Sequence, residues 1–404
     1  MATLIRFARD CAGLALRGSA AYYGFLGAMG VLVAVGGLAY VDQLRHGLAV
    51  TGMHDAVTWG AYIANFTYFI GVAAAGVMLV IPAYVFHRQD AKQLVLIAEG
   101  MAVVACLMAL CFVVVDLGRP ERMFYLLPFI GTPNLPRSLL AWDVVVVPGY
   151  LLLNLAIPAV VLYGRYRGRE VSPRLLLPWV LLTILWAIAL HTVTAFLFSA
   201  DIARPFWHSS LLGPRFLASA FCSGPALLIL ALHALQRWAR LELPRGVVGM
   251  LAVIVTVALQ VNLVMLGSEL FVEFYAPTEH SLSATYLFVG LDGKDALVPW
   301  IRLALGGELL AVAILMVRPL RERTPVLLAA CAVVVAAVWV EKGMGLIVPG
   351  FIPTPLGEVI EYTPSAAELQ VSVGIWALGA MAFAVLAKVA IAIDRGDVRA
   401  PSPP

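Results

Sequence analysis

The chain has 404 residues, of which 62% are hydrophobic and only 13% are charged, and its mean hydropathy is +0.93. A soluble domain carries about 25% charged residues, so this composition excludes an ordinary soluble protein and predicts an all-α integral membrane protein. The net charge of +3 is small and spread along the chain, which gives no indication of a nucleic-acid partner.

Apolar runs of about 20 residues, long enough to cross a hydrocarbon core of about 30 Å, recur along the whole chain. Ten spans, numbered here in chain order, are predicted at residues 21–41, 59–86, 94–115, 142–163, 175–198, 212–236, 246–266, 300–317, 325–347 and 370–393. We expect one polytopic membrane domain over residues 1–404. It comprises a ten-helix core at 21–393 and a short cytoplasmic tail at 394–404.

Basic residues are concentrated on one side of the predicted membrane. The N-terminus, the loops after spans 2, 4, 6 and 8, and the C-terminal end hold 18 of the 27 Lys and Arg residues. The positive-inside rule places this side, and both termini, in the cytoplasm. The opposite loops are longer, acidic and rich in aromatic residues, and such loops often carry function. We therefore predict a multi-pass protein of a bacterial inner membrane whose periplasmic face is the functional one.

Cysteine and histidine spacing gives no indication of a metal site. The five cysteines show no C-x-x-C pattern, and four of them lie inside apolar runs, where a small buried hydrophobe is the usual role. Every histidine except His191 falls in a loop or at a span end, which argues against a haem held by two histidines. We expect no haem or metal in this chain.

Polar and ionisable residues gather at one level near the outer surface. Span 3 ends in the sequence VVVDLGRPERMF, span 4 opens with Trp-Asp, and a histidine lies about two turns below the outer end of span 5. The candidate residues are Asp116, Arg119, Trp142, Asp143, His191 and His208, with Asn65 and Tyr68 of span 2 at comparable depth. This convergence predicts a binding site at the outer level.

Each of these residues also has an interpretation that needs no ligand. Arg119 can extend to lipid headgroups, and Trp142 can belong to an interfacial aromatic belt. Asp143 can cap span 4, His191 can satisfy a nearby carbonyl, and Asn65 can join two helices by a hydrogen bond. The ligand interpretation rests on their coincidence, because ionisable groups inside a membrane are costly and usually mark a site.

Five segments together carry a family resemblance: DLGRPERMF, SLLAWDV, LHTVTAFLFS, RPFWHSSLLGPRFLASAFCSGP and SELFVEFYAPTEHS. Over residues 20–393 the chain resembles the NrfD/PsrC family of quinone-interacting membrane subunits, and most of all the DsrP-type members of sulfur-metabolism complexes. The resemblance implies two four-helix bundles, spans 2–5 and spans 6–9, flanked by spans 1 and 10.

The resemblance also implies a function. Family members bind a quinone, menaquinone or ubiquinone, near the outer surface and exchange electrons with a periplasmic ferredoxin-like iron–sulfur subunit. Further membrane and cytochrome subunits of a multi-subunit complex are expected as partners, together with the lipid bilayer. On this sequence, Asp143 and His191 are the expected catalytic residues. The expected quinone contacts or partner contacts are Asp116, Arg119, Trp142, His208, Asn65 and Tyr68. Outer-loop arginines, Arg215 among them, are also expected to contact the iron–sulfur partner.

The chemistry of quinol oxidation suits these residue types. Two electrons and two protons leave the quinol, and a histidine can accept a proton near neutral pH while a nearby carboxylate orients it. Asp143 and His191 are predicted to form such a pair.

Two other functional classes stay open. Glu99, near the inner end of span 3, and Glu308, within span 8, belong either to a proton path or to structural pairs. Intramembrane carboxylates in ten spans also suit a secondary transporter. The third interpretation is a passive membrane anchor without quinone chemistry.

Overall fold

A computed structural model describes residues 2–127, 129–275, 278 and 281–400. Within these residues the chain is helical apart from loops and two isolated β-bridges. Ten helices there are long and apolar enough to cross a membrane, which confirms the predicted all-α class and the number of spans. They are Ala20–Val50, Ala61–Val85, Val95–Asp116, Leu139–Tyr166, Pro173–Ser199, Leu212–Ala239, Arg245–Tyr275, Val298–Met316, Thr324–Phe351 and Ala366–Arg395.

The span numbers are kept for these ten helices. The end of the molecule where odd-numbered spans finish is called the outer end, and the opposite end is called the inner end, after the predicted topology. Residues 276–277 and 279–280 of the acidic loop, and residues 401–404 of the predicted tail, lie outside the described residues.

Helix ends differ most from the prediction where the polypeptide stays helical beyond its apolar run. Span 7 was predicted to end at residue 266, but its helix continues to Tyr275 through the polar sequence GSELFVEFY. Span 4 begins at Leu139 because Ser138 caps it, its side chain accepting from the Ala141 amide at 3.3 Å. Hydropathy reports the thickness of the hydrocarbon core, whereas capping and local hydrogen bonds decide where a helix stops.

Shorter helical segments connect or interrupt the spans. An N-terminal helix, Ala2–Leu16, precedes span 1, and a 3₁₀ segment, Pro120–Leu126, follows span 3. Span 2 ends in a π-helical turn at Ile81–Val85, and span 9 contains another at Val340–Met344. A π turn widens the helix by one residue and rotates the side chains that follow, often at functional sites.

Neighbouring spans pack in a regular series. Span 2 packs on span 3, span 3 on span 4 and span 4 on span 5; spans 6 and 7, 6 and 9, 7 and 8, and 8 and 9 also pack together. Spans 2 and 5 both contact span 6, which joins the two groups, while span 10 packs on spans 1 and 3. We call spans 2–5 the first group and spans 6–9 the second group; their division into two separate bundles stays a prediction.

Spans 1 and 10 approach closely through small residues. A Cβ atom added to Gly36 would lie 2.7 Å from the Cα of Gly374, so both positions need glycine for the backbones to meet. Small residues are the usual means of close helix packing in membranes, where no hydrophobic effect drives helices together.

Candidate functional site

Asp143 lies in the first turns of span 4 and is buried, with 6% of its surface exposed. Its Oδ1 accepts a hydrogen bond of 2.9 Å from the hydroxyl of Thr194 on span 5. Among the described residues, its Oδ2 has no hydrogen-bond partner although it is buried. Buried polar atoms are nearly always paired, so this oxygen is available to a group that is not part of the described chain.

His191 lies on span 5, three residues before Thr194, and is 1% exposed. Its Nδ1 is 2.7 Å from the carbonyl oxygen of Ala187. Because a carbonyl can only accept, Nδ1 carries the hydrogen and the neutral ring presents a lone pair at Nε2. That Nε2 atom is buried and has no partner of hydrogen-bond geometry in the described part of the chain, although the backbone of Ile70 and Gly71 lies close to the ring. His191 is thus arranged as a hydrogen-bond or proton acceptor.

The side chains of Asp143 and His191 do not form the direct hydrogen bond that was expected. Asp143 bonds to Thr194 and His191 to Ala187. Since Thr194 and His191 are three residues apart on one helix, they lie on the same face of span 5. Asp143 therefore contacts span 5 one turn from His191, and each residue has one buried side-chain atom without a partner among the described residues.

Asp116 belongs to a different polar group, at the outer end between spans 1, 2, 3 and 10. Tyr62 donates to Gln43 Oε1 at 2.7 Å, and Gln43 donates to the carbonyl of Val115 at 2.6 Å. Asp116 follows directly, and its buried Oδ1 has no partner among the residues described. Asp116 shares no hydrogen bond with His191 in the described structure.

Glu368 completes this outer group from span 10. It is fully buried and accepts from the Gly52 amide at 2.6 Å, the Ser365 amide at 2.9 Å and the Tyr362 hydroxyl at 2.5 Å. Burial and this neighbouring carboxylate raise the pKa of Tyr362, so the phenol keeps its proton and donates it. Glu368 also forms a capping box with Ser365, which starts span 10. Its role is structural.

Asn65 and Tyr68 face span 10 and span 9. Asn65 Oδ1 accepts from the indole nitrogens of Trp339 at 3.0 Å and Trp376 at 2.9 Å. The ring of Tyr68 stacks on Trp376 with centroids 5.9 Å apart. Asn65, Trp339 and Trp376 line an almost wholly apolar groove of about 510 Å³ between spans 1, 2, 9 and 10. Of the two interpretations, the structure shows interhelical hydrogen bonding for Asn65.

Arg119, Trp142 and His208 lie at the outer surface. The Arg119 side chain is 71% exposed and lies 3.6 Å from Glu121. Trp142 is 40% exposed and donates to the carbonyl of Pro136 at 2.8 Å, while exposed His208 donates through Nδ1 to the carbonyl of Ser199 at 2.8 Å. These three residues border the site from outside and do not enter the buried region of His191.

His208 lines an outer cavity of about 340 Å³ at the mouth of the second group. Its loop is fixed by Trp207, which is 1% exposed and donates to the carbonyl of Leu346 at 2.8 Å. Trp207 stacks on Trp59 with ring centroids 5.7 Å apart. Trp207 is therefore not an interfacial belt residue, because its indole anchors the loop to span 9 instead of facing lipid.

A charged network inside the second group was not predicted. Arg215, on span 6, forms ion pairs with Glu269 of span 7 and Glu341 of span 9. The predicted contact of Arg215 with the iron–sulfur partner is unsupported by this arrangement, since its side chain is only 14% exposed and already paired. Glu341 also accepts from Asn262 at 3.5 Å.

Lys342 and Glu308 lie beside this network. Both are buried, Lys342 at 4% and Glu308 at 0% exposure. The Lys342 ammonium donates to the carbonyl of Phe216 at 3.3 Å and lies 4.3 Å from the centre of its ring. Neither carboxylate oxygen of Glu308 has a hydrogen-bond partner in the residues that the structure describes. The signal that could have found this network is the Glu-Lys dipeptide inside the apolar run of span 9.

Span 2 brings the two groups together at Gly71. A Cβ atom at this position would lie 3.1 Å from Lys342 Nζ and 3.5 Å from Ser223 Oγ. The His191 ring also lies close to this stretch of backbone, at Ile70 and Gly71. Glycine at 71 therefore allows the buried lysine of the second group to approach the histidine of the first.

The chain shows similarity to known membrane proteins along most of its length. The profile of the family "Polysulphide reductase, NrfD" matches residues 49–352. A membrane protein of Halobacterium salinarum, named as a subunit of dimethyl sulfoxide reductase, is 29% identical over 398 residues, covering 89% of this chain and 88% of that protein.

Two further relatives are more distant. The Hdr-like menaquinol oxidoreductase integral membrane subunit of Archaeoglobus fulgidus is 24% identical over 91% of this chain and 93% of its own length. A selenate reductase subunit of Mesobacillus selenatarsenatis is 24% identical over 62% of this chain and 65% of its own length. The family match spans most of the chain and confirms the family predicted from the motifs, so this protein belongs to the NrfD family of polysulphide-reductase membrane subunits.

Proposed function

We propose that this chain is the quinone-reactive membrane subunit of a multi-subunit oxidoreductase complex. The site lies near the outer end of the first group, where His191 and Asp143 bind and deprotonate a quinol or protonate a quinone. The observation that carries the proposal is the pair of buried acceptor atoms without partners among the described residues, His191 Nε2 and Asp143 Oδ2, on facing spans. A quinol carries two hydroxyl groups, which are the donors that two such acceptors require.

In the oxidising direction the reaction balances as follows. The quinol loses two electrons and two protons and becomes the quinone. One proton passes to His191 Nε2, and the other passes from the second hydroxyl to Asp143 Oδ2. The electrons pass to a partner subunit that carries the redox centres. The quinone supplies the redox chemistry, and this chain supplies position and proton acceptors.

The named relatives support a quinone-linked complex of this kind. They are named for dimethyl sulfoxide reductase, menaquinol oxidoreductase and selenate reductase. Menaquinone is accordingly the first quinone to test, with ubiquinone as the alternative. The more specific similarity to DsrP-type members of sulfur metabolism stays a prediction, since these relatives are named for several different substrates.

The outer end is the proposed docking face for the electron-transfer partner. Arg119 is exposed beside the 3₁₀ segment Pro120–Leu126, which also exposes Phe124 and Tyr125 at 50% and 61%. Exposed aromatic and arginine side chains are typical of protein interfaces. We propose a periplasmic ferredoxin-like iron–sulfur subunit at this face, both termini in the cytoplasm, and a location in the bacterial inner membrane.

The decisive experiment is quinol-dependent turnover of the purified complex carrying His191→Gln. Glutamine keeps a hydrogen bond but cannot accept a proton, so we expect turnover to fall by about 10²-fold, the lower range for general acid–base catalysis. His233→Gln is a matched control, because His233 of span 6 makes the same ring-to-carbonyl bond, to Ile229 at 2.8 Å, outside the proposed site.

Subunit stoichiometry is measured for every variant. Turnover close to that of the unmodified complex in His191→Gln would remove His191 from the mechanism. Loss of turnover only in proportion to loss of assembly would favour the passive anchor.

A secondary transporter is the second candidate, and the buried network of the second group favours it. Glu308 and Lys342 carry ionisable groups deep within the spans, as ion pathways require. Ion uptake into vesicles that contain this chain without its partner proteins would support transport, since the quinone reaction requires an electron acceptor.

A further inference from the structure

Two cavities lie side by side at the inner end of the molecule, away from the proposed quinone site. The first has a volume of about 440 Å³ and is lined by basic side chains, Lys92, Arg165, Arg169 and Arg399, from three separate stretches of chain. The second has a volume of about 690 Å³ and extends between spans 3 and 10. Gln93 and Asp394 line both, so the two cavities adjoin each other.

The basic cavity has an excess of positive charge. Its four basic residues face only two acidic ones, Glu170 and Asp394. Asp394 is already paired with Arg165. Within the part of the chain that the structure describes, no carboxylate lies within ion-pair distance of Arg169 or Arg399. Two guanidinium groups with free donors therefore remain at its mouth.

The fold holds Arg399 in this position. Span 10 ends at Gly396, whose φ of +78° is the left-handed cap that turns the chain back. The Ala400 amide then donates to the carbonyl of Tyr166, the last residue of span 4, at 2.8 Å. The guanidinium of Arg399 packs over Gly396 so closely that any side chain at 396 would collide with it. The C-terminal turn thus places an arginine beside the end of span 4.

The second cavity has one apolar side and one charged side, and the charged side is formed by Arg240, Glu242 and Arg395. Leu94, Leu96 and Ile97 of span 3 and its entry face Ala390 and Ile391 of span 10. All five are largely buried side chains. A ligand that contacts both cavities meets arginines in the first and can lie against this apolar side in the second.

We propose that this inner site binds an anionic phospholipid, with its phosphate at Arg169 and Arg399 and its acyl chains along spans 3 and 10. A guanidinium presents a planar fork of donors that matches phosphate oxygens. Basic pockets between transmembrane helices near the cytoplasmic surface suit lipid headgroups for the same reason. Free phosphate shares the head chemistry but cannot use the apolar side.

The test is lipid binding by the full chain, purified with its complex in a neutral detergent and titrated with phosphatidylglycerol while native mass spectra are recorded. Each juxtamembrane base strengthens binding by about fivefold, so we expect Arg169→Gln with Arg399→Gln to weaken binding by about 30-fold. The matched control is Arg318→Gln with Arg323→Gln. It removes the same charge from the loop between spans 8 and 9, where both side chains are exposed, and we expect its affinity to change less than about threefold.

Phosphatidylcholine and inorganic phosphate distinguish the sources of the phosphate. Phosphatidylcholine should bind far more weakly than phosphatidylglycerol, and millimolar phosphate should not displace the lipid. Equal weakening in the two arginine pairs would overturn the proposal in favour of diffuse surface attraction. Displacement by inorganic phosphate would overturn the lipid assignment. The double variant Arg169→Lys with Arg399→Lys keeps both charges and should retain most of the affinity. If it binds lipid normally, the weak binding of the glutamine double variant reflects lost charge and not misfolding.

Discussion

The two groups of spans bury ionisable residues in contrasting ways. In the first group, His191 and Asp143 each make one hydrogen bond and keep one buried acceptor without a partner in the described chain. In the second group, Arg215 joins Glu269 and Glu341 in a network where opposite charges meet directly. A paired network compensates its own desolvation, whereas a free acceptor lowers stability unless a ligand uses it.

This contrast explains why the two regions are assigned different roles. The Arg215 network joins spans 6, 7 and 9 and so stabilises their packing. His191 and Asp143 gain nothing further from the described protein, and the proposed ligand would offset the cost of their unpaired atoms. Four substitutions test this distinction, beginning with the largest expected effect.

Replacing Arg215 by methionine should lower the free energy of unfolding by about 3–5 kcal/mol, because two buried carboxylates lose the cation that pairs with both. The measurement is unfolding of the purified chain by denaturing detergent, followed by loss of helical signal. Arg318→Met is the control, since the Arg318 side chain is 78% exposed in its pair with Glu322. Equal stability of the Arg215 variant and the unmodified chain would mean that the network does not hold the second group together.

Replacing Thr194 by valine should lower quinol-dependent turnover by about tenfold. The change removes the hydroxyl that bonds Asp143 Oδ1, and a hydrogen bond to a carboxylate contributes about 1.5 kcal/mol or more. Thr194→Ser restores the hydroxyl and should restore turnover. A valine variant as active as the serine variant would show that Thr194 does not position Asp143.

Removing the surface carboxylate of Asp90 should change stability by less than about 1 kcal/mol. Asp90 pairs with Arg88 at 2.5 Å in the loop after span 2, and the hydrogen bond from that guanidinium lowers the pKa of Asp90. Because the folded-state pKa lies below the ordinary value of about 3.9, the pair stabilises at neutral pH and is lost as pH falls through the folded-state pKa.

The measurement compares Asp90→Asn with the unmodified chain at pH 7 and at falling pH until Asp90 is protonated in the folded chain. We expect a small difference at pH 7 that disappears in acid. A difference that persists in acid would assign the effect to helix capping of Gln89–Lys92 instead of to charge.

Replacing Glu308 by glutamine should not lower stability, since neither carboxylate oxygen has a partner to lose among the described residues and a neutral amide costs less to bury than a charge. Glu308 lies in the second group, but like His191 it has buried side-chain atoms without a hydrogen-bond partner among the described residues. A loss of stability as large as that of Arg215→Met would break the comparison, because an unpartnered carboxylate would then act as a structural one. Unchanged stability with reduced turnover would extend the functional role into the second group.

Much of the fold follows from hydropathy and motifs. The thickness of the bilayer sets the length of an apolar helix, so ten runs of suitable length predicted ten helices with modest errors at their ends. Depth along each helix is equally readable, because each residue rises about 1.5 Å. Asp143 and His191 are both buried, and their common level near the outer surface stays a prediction from spacing.

The direction in which each side chain points was not readable in the same way. Lipid is as apolar as a protein core, so a membrane helix is apolar on every face and its periodicity does not reveal which face meets a neighbour. Asn65 was grouped with the site by depth, but it faces Trp339 and Trp376. Asp116 was grouped in the same way and adjoins the Gln43 and Glu368 group instead.

The amino-acid sequence alone determined the class, the number of spans and the family, because these depend on composition, length and local motifs. Tertiary packing decided the partners: Thr194 for Asp143, Ala187 for His191, and Arg215 for Glu341. Glu341 lies on the π turn Val340–Met344. An added residue in one turn rotates the side chains around it, and only contacts between helices select that turn.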